Sequence, residues 1–77
     1  MADIQVGLAI RLTRSKKKLT QTQVADRMGT ARSYILRVEK DKVMPGIENF
    51  VRFADAMELE PAELLTLARQ LQREAEM

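Results

Sequence analysis

The sequence predicts a compact all-α chain of five helices. Three observations carry that expectation. Apolar residues recur at spacings of three and four in each of five segments, as the buried stripe of a helix requires. Residues that start or stop helices punctuate those segments: Thr20 with Gln23 three positions on, then Gly29, Pro45 and Pro61. The length of 77 residues allows one domain. We expect it to span 1–77, with a core over about 4–65 and a last helix over about 61–75 that completes the core, a dimer interface, or both.

The first helix is expected from Met1 to about Lys17, with Asp3 as its cap. Val6, Ile10 and Thr13 fall on one side, while Leu8 and Leu12 form a second stripe. One stripe suffices for a monomeric core. The second could be covered by the C-terminal helix or by a partner chain. Ser15 to Lys18 then make a basic turn, read as a solvated loop.

Leu19 to Glu39, LTQTQVADRMGTARSYILRVE, reads as two short helices hinged on one glycine. The Thr20 hydroxyl can accept from a free amide one turn in, and Gln23 stands where a capping box needs it. Val24, Ala25 and Met28 share a face, and Gly29 can end the helix in a left-handed conformation at no steric cost. The next helix fits Arg32 to Lys40. Ile35 and Val38 share its apolar face, while Arg32, Ser33 and Arg37 point elsewhere.

After a VMPG turn, Ile47, Phe50, Val51, Ala54 and Met57 give a broad apolar face with Phe53 beside it. Both phenylalanines are read as core and not as a base-stacking platform, which leaves little for single-stranded RNA to stack on. Pro61 suits the first position of the final helix, and Glu63 is favourable near its positive end. Leu64, Leu67, Ala68, Leu71 and Ala75 repeat at three and four, with Leu65 widening the stripe. The stripe is longer than a small domain needs. It could cover Leu8 and Leu12, or meet its symmetry mate.

Composition removes several functions. A chain this short buries only about 60% of the surface its unfolded form exposes. It has no cysteine, so neither a disulfide nor a cysteine-ligated zinc can staple it. It has no histidine, the usual residue of metal sites and of acid/base work near neutral pH. No metal, no cofactor and no enzymatic activity are expected. Residues 1–14 contain no signal-peptide core, and no stretch approaches the roughly 20 apolar residues of a membrane span, so a cytoplasmic protein is expected. Charge is uneven. Residues 1–42 hold ten Lys or Arg against four Asp or Glu, giving +6, and residues 43–77 hold three against seven, giving −4. A basic half suits attraction to phosphate.

The central stretch resembles the helix-turn-helix of the Cro/repressor-type DNA-binding proteins of bacteria and phages. Leu19, Thr20, Gln21, Val24, Ala25, Met28, Gly29, Ile35, Val38 and Glu39 stand at that family's spacing, and Arg14 and Pro45 fall in step. The resemblance covers roughly residues 6–65 and implies a repressor-like fold with a central helix-turn-helix. It implies that Arg14 pairs with Glu39, fixing the angle at which the third helix is presented. It implies that the N-terminal end of that helix enters the major groove, with Arg32, Ser33, Tyr34 and Arg37 at the bases. Arginine there can bond guanine O6 and N7, and Tyr34 could meet a phosphate or a thymine methyl. Gln21, helped by Gln23, would bond a backbone phosphate at the start of the second helix. Lys42 would grip phosphate from the following loop, and Asn49 or Arg52 could reach another.

Three positions depart from the family pattern. Ala31 stands where a capping Ser or Thr is common, Leu36 where a polar residue is expected, and Asp41 where glycine is frequent. The partners expected are double-stranded DNA and a second copy of the chain. The alternative is an antitoxin-like or adaptor subunit whose C-terminal helix docks another protein, with DNA binding secondary.

Overall fold

The computed structural model describes residues 3–77. Five helices follow in order: α1 (Val6–Lys16), α2 (Gln21–Met28), α3 (Arg32–Glu39), α4 (Ile47–Ala56) and α5 (Pro61–Ala75). Among the described residues there is no strand. α1 packs on α3 and α5, α2 on α3 and α4, and α4 on α5.

The core is one cluster to which every helix contributes. Ile10, Val24, Ile35, Val38, Phe53, Met57 and Leu64 supply its largest fully buried side chains. Their burial follows from the helical stripes, with one displacement. The apolar face of α4 is rotated from the expected one. Phe50, Phe53, Ala54, Ala56 and Met57 point inward, whereas Ile47 is 80% exposed and Val51 lies at the surface. Phe50, Ala54 and Met57 belong to both faces; the buried arc extends from them past Phe53 to Ala56, and so leaves Ile47 and Val51 on its outer side.

α1 is shorter than expected. Met1 and Ala2, where it was expected to begin, lie outside the described residues, and Asp3 is not its cap. Gln5 holds that place with a non-helical backbone and no side-chain capping bond. Its amide instead donates 3.2 Å to Ala68 O, tying the N-terminal segment to α5. Val6, Ile10 and Thr13 are buried as a stripe. Of the second stripe, Leu8 is half-buried and Leu12 stays 42% exposed, beside Leu59 and Leu67. α5 therefore covers that stripe only in part.

Gly7 is required by the approach of α1 to the end of α3. A Cβ placed there would collide with Val38 O and lie 2.6 Å from Asp41 Oδ1. Gly7→Ala is expected to destabilise the chain by about 1–2 kcal/mol through overpacking, or several degrees of melting temperature in a domain this small. A calorimetric scan checks it, and an unchanged melting temperature would mean the two helices separate at no cost.

Helix ends follow local chemistry. Thr20 and Gln23 form a reciprocal capping box, with Gln23 N donating 3.0 Å to Thr20 Oγ1 and Thr20 N donating 2.8 Å to Gln23 Oε1. Gly29 closes α2 at φ 68°, and Thr30 N returns to Ala25 O. Lys18, Asp41 and Glu58 also adopt left-handed conformations, each in the turn that follows a helix. Asp41, where glycine is frequent in the proteins that the sequence resembles, thus takes a left-handed backbone at the steric cost of a Cβ. α5 begins with Pro61 in its first turn and a box between Glu60 and Glu63.

The α5 stripe belongs to the core. Leu64 and Ala68 are fully buried, and Leu67 and Leu71 pack partly buried against the same cluster.

Candidate nucleic-acid interface

α2 and α3 meet across the Gly29 turn, and α3 is held at both ends. The C-terminal hold is an ion pair. Arg14 Nε donates 2.7 Å to Glu39 Oε2 and Nη2 donates 3.0 Å to Oε1, a two-pronged contact that also fixes orientation. Nη1 donates 3.0 Å to Leu19 O, so one guanidinium joins the end of α1, the start of the α2 segment and the end of α3. The Glu39 side chain is only 4% exposed and that of Arg14 17%. Hydrogen bonding to Glu39 raises the Arg14 guanidinium above its ordinary value; burial opposes this and charge attraction to Glu39 reinforces it. A base raised on folding contributes in full below its unfolded pKa and loses that contribution only as pH rises through the folded value. Arg14 therefore remains charged throughout the neutral range.

The other hold is aromatic. Tyr34 is half-buried and stacks on Phe53 with ring centroids 6.1 Å apart. Its hydroxyl accepts 3.0 Å from Asn49 Nδ2 on α4. Tyr34 therefore turns toward α4 and away from Ser33 and Arg37. Its ring is a packing element, and the residue is not a freely projecting reader. Asn49, read as a phosphate ligand, spends an N–H on that hydroxyl, and the phenolic proton remains available to an acceptor.

What α3 leaves outward is basic and polar. Arg32, Ser33 and Arg37 are exposed, as are Lys40 at the helix end and Lys42 in the following loop. Ser33, Arg37 and Lys40 repeat at four and three, so they share one face. Lys40 and Leu36 complete that face and were not among the expected base readers. The signal was present in the spacing, but Lys40 stands at the helix end and an apolar Leu36 does not look like a reader. Leu36 is half-buried and is not packed on the core cluster. Ala31 takes the N-cap position with no side-chain bond, so amides of the first turn of α3 stay without a side-chain cap.

Gln21 and Gln23 sit at the N-terminal end of α2, and both already have work inside the chain. Gln21 Nε2 donates 3.1 Å to Glu39 Oε1, and Gln23 Oε1 closes the capping box. Each amide group carries two N–H donors, so each retains a donor for a phosphate. The basic turn is partly committed as well: Lys17 Nζ donates 3.0 Å to Glu58 O in the turn between α4 and α5. Arg27 Nη1 donates 2.7 Å to Ala56 O, pinning the end of α2 to the end of α4. No group of His, Cys, Asp or Glu that could hold a metal ion occurs among the described residues. No helix among them is long and apolar enough to cross a membrane.

A helix-turn-helix family model matches residues 10–64, most of the chain. The chain belongs to the Cro/repressor-type helix-turn-helix family. It is 31% identical over 72 residues to the immunity repressor protein of Bacillus phage phi105, a match that takes in 90% of this chain and 50% of that protein. The chain thus spans about half the length of the curated relative it matches. Among solved structures, the restriction-modification controller protein C.AhdI from Aeromonas hydrophila superposes with a TM-score of 0.75 at 33% identity, over 79% of this chain and 92% of that one. The clp gene regulator ClgR from Corynebacterium glutamicum superposes with a TM-score of 0.90 over 95% of this chain and 78% of that one. At 19% identity, that second likeness speaks for the fold alone. Within this family the second helix of the motif is the one laid into the major groove, and here that helix is α3.

Proposed function

We propose that this helix-turn-helix chain is a sequence-specific, double-stranded DNA-binding transcriptional regulator. It acts as a homodimeric repressor that reads a near-palindromic operator through α3, in the cytoplasm and with no catalytic step. One observation carries the reading. The residues of α3 that can address base edges, Arg32, Ser33 and Arg37, are exposed on a helix whose ends are clamped by Glu39 to Arg14 and by Tyr34 to Asn49. A reading head must be both projecting and rigid, because misplaced donors cannot make the two-pronged guanine contact. The likeness to a phage immunity repressor supports repression as the outcome.

The division of labour is then as follows. Arg32, Ser33 and Arg37 face bases, Gln21 and Gln23 face phosphate from the start of α2, and Lys42 faces phosphate from the loop after α3. Asn49 acts through the Tyr34 hydroxyl. The alternative, an antitoxin-like or adaptor subunit whose C-terminal helix docks another protein, is less favoured because Leu64 and Ala68 are buried and Leu67 and Leu71 pack partly buried against the core.

Selection from a random duplex pool tests the proposal. The expected product is a near-palindrome whose half-sites lie about one helical turn, roughly 34 Å, apart or a multiple of that. A pool that emerges without enrichment ends the proposal. Lys42→Ala supplies a second check: it is expected to weaken all duplexes alike and lower the salt slope by about 1. An unchanged slope removes Lys42 from the interface.

A further inference from the structure

The core takes Ile35 and Val38 from α3, and Tyr34 packs against it from the side of α4. Leu36 is the apolar residue of that helix that the core leaves out. It is half-buried without lying in or against the core cluster. Helical spacing makes its neighbours Arg32, one turn before it, Ser33, three residues before it, and Lys40, one turn after it. All of these are exposed, and so is Arg37, the next residue.

A leucine ringed by cations is ill suited to an apolar protein partner, because docking would strip water from those cations and leave them unpaired. It suits a surface that is anionic at its edges and carries an apolar group between them. The major groove is such a surface. Phosphates form its walls, and the apolar group on its floor is the C5 methyl of thymine. The other base edges there present donors and acceptors, to which leucine has nothing to offer.

We infer that Leu36 determines specificity by packing on a thymine C5 methyl in each half-site. The inference rests on the DNA-reading function proposed above and adds to Arg32, Ser33 and Arg37 a reader of a different chemistry. Four residues of helix advance about 6 Å, and successive base pairs lie about 3.4 Å apart, so the thymine is placed within about two base pairs of the one Arg32 addresses.

Uracil tests it, because exchanging thymine for uracil removes the methyl group and leaves every polar group of the base edge in place. Binding of the full chain is measured on the selected operator and on duplexes with uracil at one thymine position at a time in one half-site. The wild type is expected to lose about fourfold at one such position, the worth of one buried methyl-sized group. Leu36→Ala is expected to bind the thymine operator more weakly and to make no distinction between thymine and uracil at that position. Leu36→Met, which keeps an apolar side chain of similar length, is expected to restore the distinction. Because Leu36 does not pack on the core, Leu36→Ala is expected to melt as the wild type does, which circular dichroism checks. Should alanine lower the melting temperature, Leu36→Gln takes its place, with the same loss of distinction expected. A wild type indifferent to uracil at every position overturns the role of Leu36 and spares the DNA-reading function. So does a folded Leu36 variant, alanine or glutamine, that keeps the full preference for thymine, since its weakening is then independent of the methyl. A chain that selects no operator at all overturns the proposed function, and the role of Leu36 with it.

Discussion

Glu39→Ala is expected to lower the unfolding free energy by about 3–5 kcal/mol, the usual result of stranding one member of a buried pair. Glu39 receives hydrogen bonds from Arg14 Nε, Arg14 Nη2 and Gln21 Nε2, and almost none of its side chain reaches solvent. Without it, Arg14 keeps only the carbonyl of Leu19 and remains a largely buried cation with two orphaned donors. A small domain holds about 5–15 kcal/mol of stability in total, so the loss would be a large share of it. Urea titration reads the effect directly, as a shifted midpoint with the slope unchanged. A loss under about 1 kcal/mol would instead assign Arg14 and Glu39 the modest value of a solvated pair. Arg14→Lys should be damaging too, because an ammonium cannot reproduce the two-pronged geometry.

Arg37→Ala is expected to cost about 1–3 kcal/mol on the selected operator and to relax preference at one base pair. Arg37 is exposed and shares the outward face of α3 with Ser33 and Lys40, so its removal disturbs no packing. The fold should melt as the wild type does. Competition binding on the operator and on a scrambled duplex separates the two roles open to an arginine. A loss confined to the operator makes Arg37 a base reader, and an equal loss on both makes it a phosphate contact. The two substitutions act at opposite levels. Glu39 holds the end of α3, and Arg37 stands on its outward face.

Much of the fold was legible because its signals are local. The Thr20–Gln23 box and the left-handed Gly29 need only a few consecutive residues, and both stand where the sequence puts them. Pro61 opens α5 for the same reason. The start of α1 was misread because Asp3 looks like a cap, while the actual start depends on Gln5 reaching Ala68, 63 residues further along the chain. The face of α4 was misread because Ile47 and Phe53 fit apolar stripes equally well. Tyr34 was read from its place in α3, and its contact with Phe53 and Asn49 lies on another helix.

The sequence by itself determined five helices, their order, the turn between the second and third, and a basic half containing that turn. Periodicity, capping and charge are properties of neighbouring residues, and they survive without a third dimension. Only the tertiary structure decided which apolar side chains are consumed by the core and which are left over. Leu64 and Ala68 went in while Ile47 and Leu65 stayed out, although all four are apolar residues of amphipathic helices. The physical reason is volume. A core enclosed by five short helices accepts one stripe from each, and the crossing of the helices selects which stripe that is.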